Sequence, residues 1–237
     1  MTGLEVRRIG LIDYVEAWDL QRDLHAQRVD GAIGDVALFL EHPPVFTAGK
    51  RTEPHERPFD GTPVVDVDRG GKITFHGPGQ LVGYPITKLP SHVLVVDYVR
   101  RVEEALIRAI SDLGVKSGRV PGRSGVWLAA SDGKSDDSGQ KPERKIGAIG
   151  IRVSRGITMH GFSLNANVDL SWFDRFVPCG ISDAGVTSLS EELGRDVTVS
   201  EAADVVEPHL CDLLSWNEYT PSADLEHVDS YPAIAVL

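Results

Sequence analysis

The 237-residue chain holds two cysteines, Cys179 and Cys211, in different settings. Cys179 lies in DRFVPCGISDAG, between Pro178 and Gly180, residue types that mark a bend. A thiol there is a candidate nucleophile if a nearby cation or base lowers its pKa from roughly 8.5. Lys145, His76 and His160 are the candidates for that task, and nothing in the local sequence selects one of them. Without such a partner Cys179 is inert. Cys211, in the apolar helical stretch HLCDLLSW, reads as core.

Lys145 opens KIGAIGIRV. On a strand alternate side chains share a face, so Lys145 falls with Gly147, Ile149, Ile151 and Val153. Desolvation on an apolar face disfavours a charged amine, which can then accept a proton near neutral pH. At the start of a strand the ammonium can instead extend to solvent. Gly147 and Gly150 suit either a narrow ligand channel or a bulge.

The third chemical segment is RGGKITFHGPGQLVG, with glycines at 70, 71, 77, 79 and 83. It is not a Walker A loop, which needs glycine at Asp66 and Ser or Thr at Ile73. The spacing of Gly77, Gly79 and Gly83 also misses the Rossmann fingerprint. Two readings remain: a substrate cradle with Arg69, Lys72 and His76 around it, or two tight turns between strands.

These residues need elements to hold them. A strand is expected at 4–9 and a helix at 13–29, capped by Asp13 and with a patchy apolar face of Tyr14, Ala17, Trp18 and Leu24. A strand at 36–40 ends at a Pro-Pro break and a second short one follows. PVVDVDRGG and KITFHG read as two strands around a turn at Gly70 and Gly71, and LVGYPITKL as another. The three- and four-residue spacing of Val95, Val99, Val102, Leu106, Ala109, Ile110 and Leu113 predicts a helix over 93–113, with Gly114 as its C′ residue. GVWLAA is a strand, and the polar stretch 131–143 should be a mobile surface loop. KIGAIGIRV and GITMHGFSLNANV, joined by Ser154, Arg155 and Gly156, predict an antiparallel hairpin. Ser188 and Glu191 announce a short helix at 188–193. A helix over 200–215 contains Pro208, which should kink or split it. Mixed strands with few helices and no regular βαβ alternation indicate one α+β domain.

Composition narrows the function. Twenty-four Lys and Arg against 35 Asp and Glu give a net charge of -11, with no basic excess for general nucleic-acid binding. An acidic partner would need a local basic patch. No Cys-x-x-Cys pair suggests zinc. The N-terminal stretch lacks a signal peptide's apolar core, and no run approaches the ~18 apolar residues of a membrane span. A reducing cytoplasm, where thiols stay free, is the expected setting.

Four segments in order, RGGKITFHGPGQLVGYP, KIGAIGIRV, TMHGFSLN and FVPCGI, resemble the lipoyl(octanoyl) transferases of lipoate biosynthesis; GVW and GVTSL add weaker agreement. The likeness runs from about residue 35 to 195. It departs at Ser163, where the family form HGFAL has alanine, which touches only fine substrate preference. The resemblance implies a mixed β-sheet with flanking helices of the biotin/lipoate protein ligase type (class II synthetase-like), beside a channel for a medium acyl chain. It implies a catalytic domain over 1–216, with the 131–143 loop and the 217–237 tail outside the motifs. Cys179 would carry the acyl group as a thioester and Lys145 would act as general acid and base. Arg69, Gly70, Gly71, Lys72, Ile73, Thr74, Phe75 and His76 would hold the acyl group, together with Ala148, Ile149 and Gly150 and with Gly161, Phe162 and Ser163.

The implied donor is octanoyl-acyl carrier protein. The implied acceptors are lipoyl domains of 2-oxoacid dehydrogenase E2 subunits and the glycine cleavage H protein, with no metal, cofactor, nucleic acid or membrane. Because such carriers are acidic, basic residues should cluster at the channel mouth, with Arg51, Arg57, Arg144, Arg152 and Arg155 as candidates. The main rival is an ATP-dependent lipoate or biotin-type ligase on the same fold, which would not need Cys179. A thiol hydrolase and a catalytically inactive acyl-binding module are the others.

Overall fold

The computed structural model describes residues 3–58, 60–130, 142–176 and 184–225. Strand β1 (Glu5–Leu11) leads into α1 (Tyr14–Val29). Asp13 caps α1 as expected, its carboxylate accepting from Val15 N at 2.8 Å. β2 (Val36–Glu41) stops before the Pro-Pro pair and β3 (Val45–Ala48) follows. Next come β4 (Val64–Asp66), β5 (Ile73–His76) and β6 (Gln80–Ile86). The amphipathic helix is α2 (Val95–Asp112), and Gly114 takes a left-handed φ of 89° just past its end. β7 (Gly118–Val120), β8 (Arg123–Leu128), β9 (Arg144–Ser154) and β10 (Ile157–Asn165) follow. The described chain continues with β11 (Gly185–Val186), α3 (Leu189–Leu193) and α4 (Val199–Leu213).

Seven strands run in the order β1-β2-β6-β10-β9-β8-β7, and β11 adds to β9 as an eighth. The sheet is mixed: β1 is parallel to β2 and β11 to β9, and the other pairs are antiparallel. Strand alternation divides the core. Phe39, Leu81 and Leu164 join α2 and α4 on one face, whereas Leu38, Leu40, Val82 and Ile86 join Ala17 and Leu24 of α1 on the other. The β9–β10 hairpin turns through Arg155 and Gly156, both at positive φ, with Ser154 paired to Ile157.

The structure departs from the expected local order in three places. The two strands flanking Gly70 and Gly71 do not pair with each other; β3 lies between them in a separate sheet ordered β4-β3-β5. Pro208 does not split the last helix, because α4 runs unbroken past it. The three-residue β7, too short to give a period, closes the sheet edge beside β8. There Arg119 of β7 bonds Glu104 of α2 at 2.5 Å, a buried pair that also receives Ser222 N at 3.0 Å and so fastens the chain beyond α4. Most of the 131–143 loop lies outside the described residues. No helix of the described residues is long and apolar enough to cross a membrane.

Candidate active site

A cavity of about 310 Å³ opens between the β9–β10 hairpin, β5 and the start of α1. Arg69, Gly71, Lys72, Ile73, Thr74 and His76 line one side. Lys145, Ala148, Ile149 and Gly150 of β9, with Gly161, Phe162 and Ser163 of β10, line another. Gly70 and Phe75 lie apart from it. Gly70 donates its N–H to Ile151 O at 2.9 Å, which fastens the Arg69–Lys72 loop to β9. Phe75, between the cavity-facing Thr74 and His76, points away and stacks on Trp172 with centroids 5.0 Å apart. Cys179 lies outside the described residues.

Arg69 is the keystone of the loop. Its Nη1 donates to Lys72 O at 2.8 Å and its Nη2 to Thr47 O at 2.8 Å. The same side chain lies across Gly150, where a Cβ would come within 2.9 Å of Arg69 Cδ. Gly150 pairs in register with Gly161, whose own Cβ would meet Gly83 O at 2.1 Å. At Gly150 and Gly161 the cavity wall is backbone without side chains, with Arg69 facing Gly150. That suits an unbranched chain passing between strands.

Lys145 sits toward the open end, near the exposed Arg51, Gly122 and Ser124. The β8–β9 pairing shifts register between Val126 and Trp127, so simple alternation fails beside Lys145. Its ammonium lies over the Trp127 ring, 4.7 Å from the centroid. Gly125, at φ 106°, makes room for the lysine stem, and Glu103 holds Gly125 N at 3.0 Å. A chain of hydrogen bonds fixes the backbone of Lys145 from the other side. His76 Nδ1 meets Gln80 Oε1 at 2.7 Å, and Gln80 Nε2 donates to Asn165 Oδ1 at 2.9 Å. Asn165 Nδ2 then donates to Thr187 O at 2.9 Å, and Thr187 N donates to Lys145 O at 3.0 Å.

The two histidines considered as thiol activators are buried. His76 is pushed down to about 3 by burial, with His42 nearby adding repulsion. His160 is pushed down to about 3 by burial and by the Arg69 charge. Both are neutral at physiological pH. His160 Nε2 bonds Asp68 Oδ1 at 2.8 Å, and Asp68 also holds Arg152. Among the described residues no group of three His, Cys, Asp or Glu side chains could hold a metal ion.

The arginines proposed for the mouth sort differently. Arg51 lines the cavity, and among the described residues it makes no ion pair. Arg144 is not at the mouth: it is buried, gripping Glu192 at 2.6 Å and Ala129 O at 3.0 Å. Arg57 pairs with Asp66 and Arg152 with Asp68, while Arg155 forms the hairpin turn. Sequence reasoning missed Arg123, which lines the cavity and bonds Glu143 at 3.0 Å. It also missed Tyr14 and Tyr84 as lining residues, because apolar periodicity counts a tyrosine as core.

The profile of the lipoyl protein ligase A/B catalytic domain matches residues 13–211, and the chain belongs to this family. Its relatives are more particular. An octanoyltransferase of Mycobacterium sp. (strain KMS) is 63% identical over 211 residues, covering 89% of this chain and 85% of the relative. One from Streptomyces griseus subsp. griseus is 52% identical over 271 residues, covering 99% of each. This chain is thus an acyltransferase of the octanoyltransferase group. Among solved structures, Ta0514 of T. acidophilum, a putative lipoate protein ligase, matches with a TM-score of 0.63 at 11% identity, covering 90% of this chain and 86% of that one. That likeness establishes the expected α+β lipoate/biotin ligase-like fold.

Proposed function

We propose that the protein transfers an octanoyl (or lipoyl) group from acyl carrier protein to a lysine of a lipoyl domain, through a thioester on Cys179. The acceptors are lipoyl domains of 2-oxoacid dehydrogenase E2 subunits and of the glycine cleavage H protein, and the setting is the cytoplasm. The carrying observation is the position of Lys145, seated on Trp127 at the open end of a cavity whose wall at Gly150 and Gly161 is backbone without side chains.

In the first half-reaction Cys179 Sγ attacks the carrier thioester and its proton passes to Lys145 Nζ. Collapse of the tetrahedral intermediate breaks the bond to the carrier sulfur, which leaves with the proton from Lys145. In the second half the acceptor amine attacks the Cys179 thioester and gives a proton to Lys145. The Cys179 thiolate leaves and is reprotonated, and an amide is formed. Exchange of one thioester for another is nearly balanced in energy, so no ATP is required. Arg51 supplies local positive charge for an acidic carrier in a chain of net charge -11, whereas Lys72 and Arg123, which line the same cavity, are paired with Glu56 and Glu143.

Intact-mass measurement with octanoyl-carrier and no ATP tests the proposal. A hydroxylamine-labile octanoyl adduct is expected, absent in Cys179→Ser and discharged by apo-lipoyl domain. An adduct that forms only with ATP would instead make the protein a ligase, and rapid loss to free octanoate would make it a hydrolase.

A further inference from the structure

The buried end of the cavity is polar, which an alkyl chain does not require. Tyr14, Tyr84, His76 and His160 line it and are 3%, 4%, 7% and 1% exposed. The Tyr14 ring lies 6.1 Å from His76, and Tyr84 lies 6.5 Å from His160. His160 pairs across the hairpin with Ile151, on the far side of the Gly150–Gly161 pair from Lys145. This end is therefore remote from the reacting one.

The hydrogen-bonding state of the cluster follows from its neighbours. Thr187 O can only accept, so Asn165 presents its amide nitrogen there and its oxygen to Gln80. Gln80 then presents its oxygen to His76, whose Nδ1 must donate. In the neutral ring, His76 Nε2 is left as an acceptor, and it has no hydrogen bond among the described residues. Asp68 likewise takes the proton on His160 Nε2, which makes His160 Nδ1 an acceptor. That atom is buried with no partner. Ile12 O accepts from His42 Nδ1, so the Tyr84 hydroxyl donates to His42 Nε2 at 2.8 Å. The Tyr14 hydroxyl has no partner among the described residues. His160 also holds a left-handed φ of 56°, its N–H bonded to Gln21 Oε1 at 2.9 Å. The backbone thus accepts an unfavourable conformation to present this ring.

Two imidazole acceptors without donors, beside a phenol free to donate, form a site for a group that both gives and takes a hydrogen bond. We propose that the buried end of the cavity is a hydroxyl-recognising subsite, which takes acyl chains bearing a hydroxyl on their distal carbons and holds water when the chain is plain alkyl. The inference rests on the acyl reading of the cavity. It adds that the far end discriminates by hydrogen bonding, and that a longer alkyl chain is disfavoured because it would displace that water and leave the imidazoles unpaired.

Calorimetric titration with octanoic, nonanoic and 8-hydroxyoctanoic acids tests it without requiring turnover. The wild-type protein should bind 8-hydroxyoctanoate within about threefold of octanoate, and more tightly than nonanoate. In His76→Asn/His160→Gln, Asn keeps a donor for Gln80 and Gln keeps one for Asp68, but the ring acceptors His76 Nε2 and His160 Nδ1 are replaced by amide oxygens at different positions. The hydroxy acid should there lose about tenfold relative to octanoate. If that variant does not fold, Tyr14→Phe serves, with an expected loss of about fivefold in the same ratio. Failure of octanoate to bind would overturn the acyl reading of the cavity as well. Octanoate binding with the hydroxy acid more than threefold weaker in wild type, or an unchanged ratio in the folded variants, would overturn the subsite alone.

Discussion

The two ends of the cavity differ in the kind of polarity they carry. Cations line the cavity around its open end: Arg51 and Lys145, with Lys72 and Arg123 held in ion pairs with Glu56 and Glu143. The buried end gathers neutral imidazoles and phenols, with His76 and His160 both held uncharged at about 3. One end carries positive charge; the other carries groups that, when neutral, can only exchange hydrogen bonds. The difference arises from desolvation, which water relieves at the lip and nothing relieves beneath α1.

The contrast can be broken in steps of decreasing size. Replacing Lys145 by Met should lower kcat about 10²- to 10⁴-fold with the fold intact, measured by lipoyl-domain octanoylation and by thermal melting. A melting loss as large as the kinetic one would make Lys145 structural and remove the chemical distinction of the open end. Between the two ends, Gly161→Ala forces a Cβ to within 2.1 Å of Gly83 O. It should cost about 1–3 kcal/mol, seen as a melting midpoint lower by several degrees.

The buried end should announce itself in acid. His76 and His160 titrate near 3 when folded and near 6.5 when unfolded, so between those values the unfolded chain binds more protons. Their contribution is complete above about pH 6.5 and is lost as pH falls toward 3, at up to about 1.4 kcal/mol per pH unit for each ring. Urea unfolding across that range should show the slope, and His160→Gln should flatten it. The smallest effect belongs to the lip: Arg51→Glu should raise KM for the octanoyl carrier about threefold to tenfold at low salt, and the increase should shrink at high salt. A salt-independent change would mean that Arg51 acts on something other than long-range attraction.

Much of the scaffold was legible because it obeys simple periods. The β9–β10 hairpin follows from two alternating runs and a Ser-Arg-Gly turn, and α2 from its three- and four-residue spacing with a glycine stop. The residues expected at the cavity wall came from the resemblance to the transferase family; the glycine-rich segments by themselves left a cradle and a pair of tight turns both open. The order β4-β3-β5 was not, because a strand inserted between two others leaves no mark on either. Nor was the Gln80–Asn165 contact, which joins residues 85 apart and fixes the tautomer of His76. Strict alternation fails around Lys145 for a local reason: β9 takes two steps, Gly147 to Lys145, against one on β8, Val126 to Trp127. Tyr14 carries two roles in one residue type, and an apolar count records only the first.

The glycine pair has a consequence for how this enzyme can change. At Gly150 and Gly161 the walls are peptide groups, with nothing left to trim, and added atoms would collide with Arg69 or Gly83. Neither glycine can therefore be exchanged for a larger residue without displacing Arg69 or the β6 backbone. A lineage, or an engineer, seeking a new acyl substrate must leave the middle alone and alter the length of the passage or the chemistry at its end, where Tyr14, His76 and His160 still have side chains to exchange.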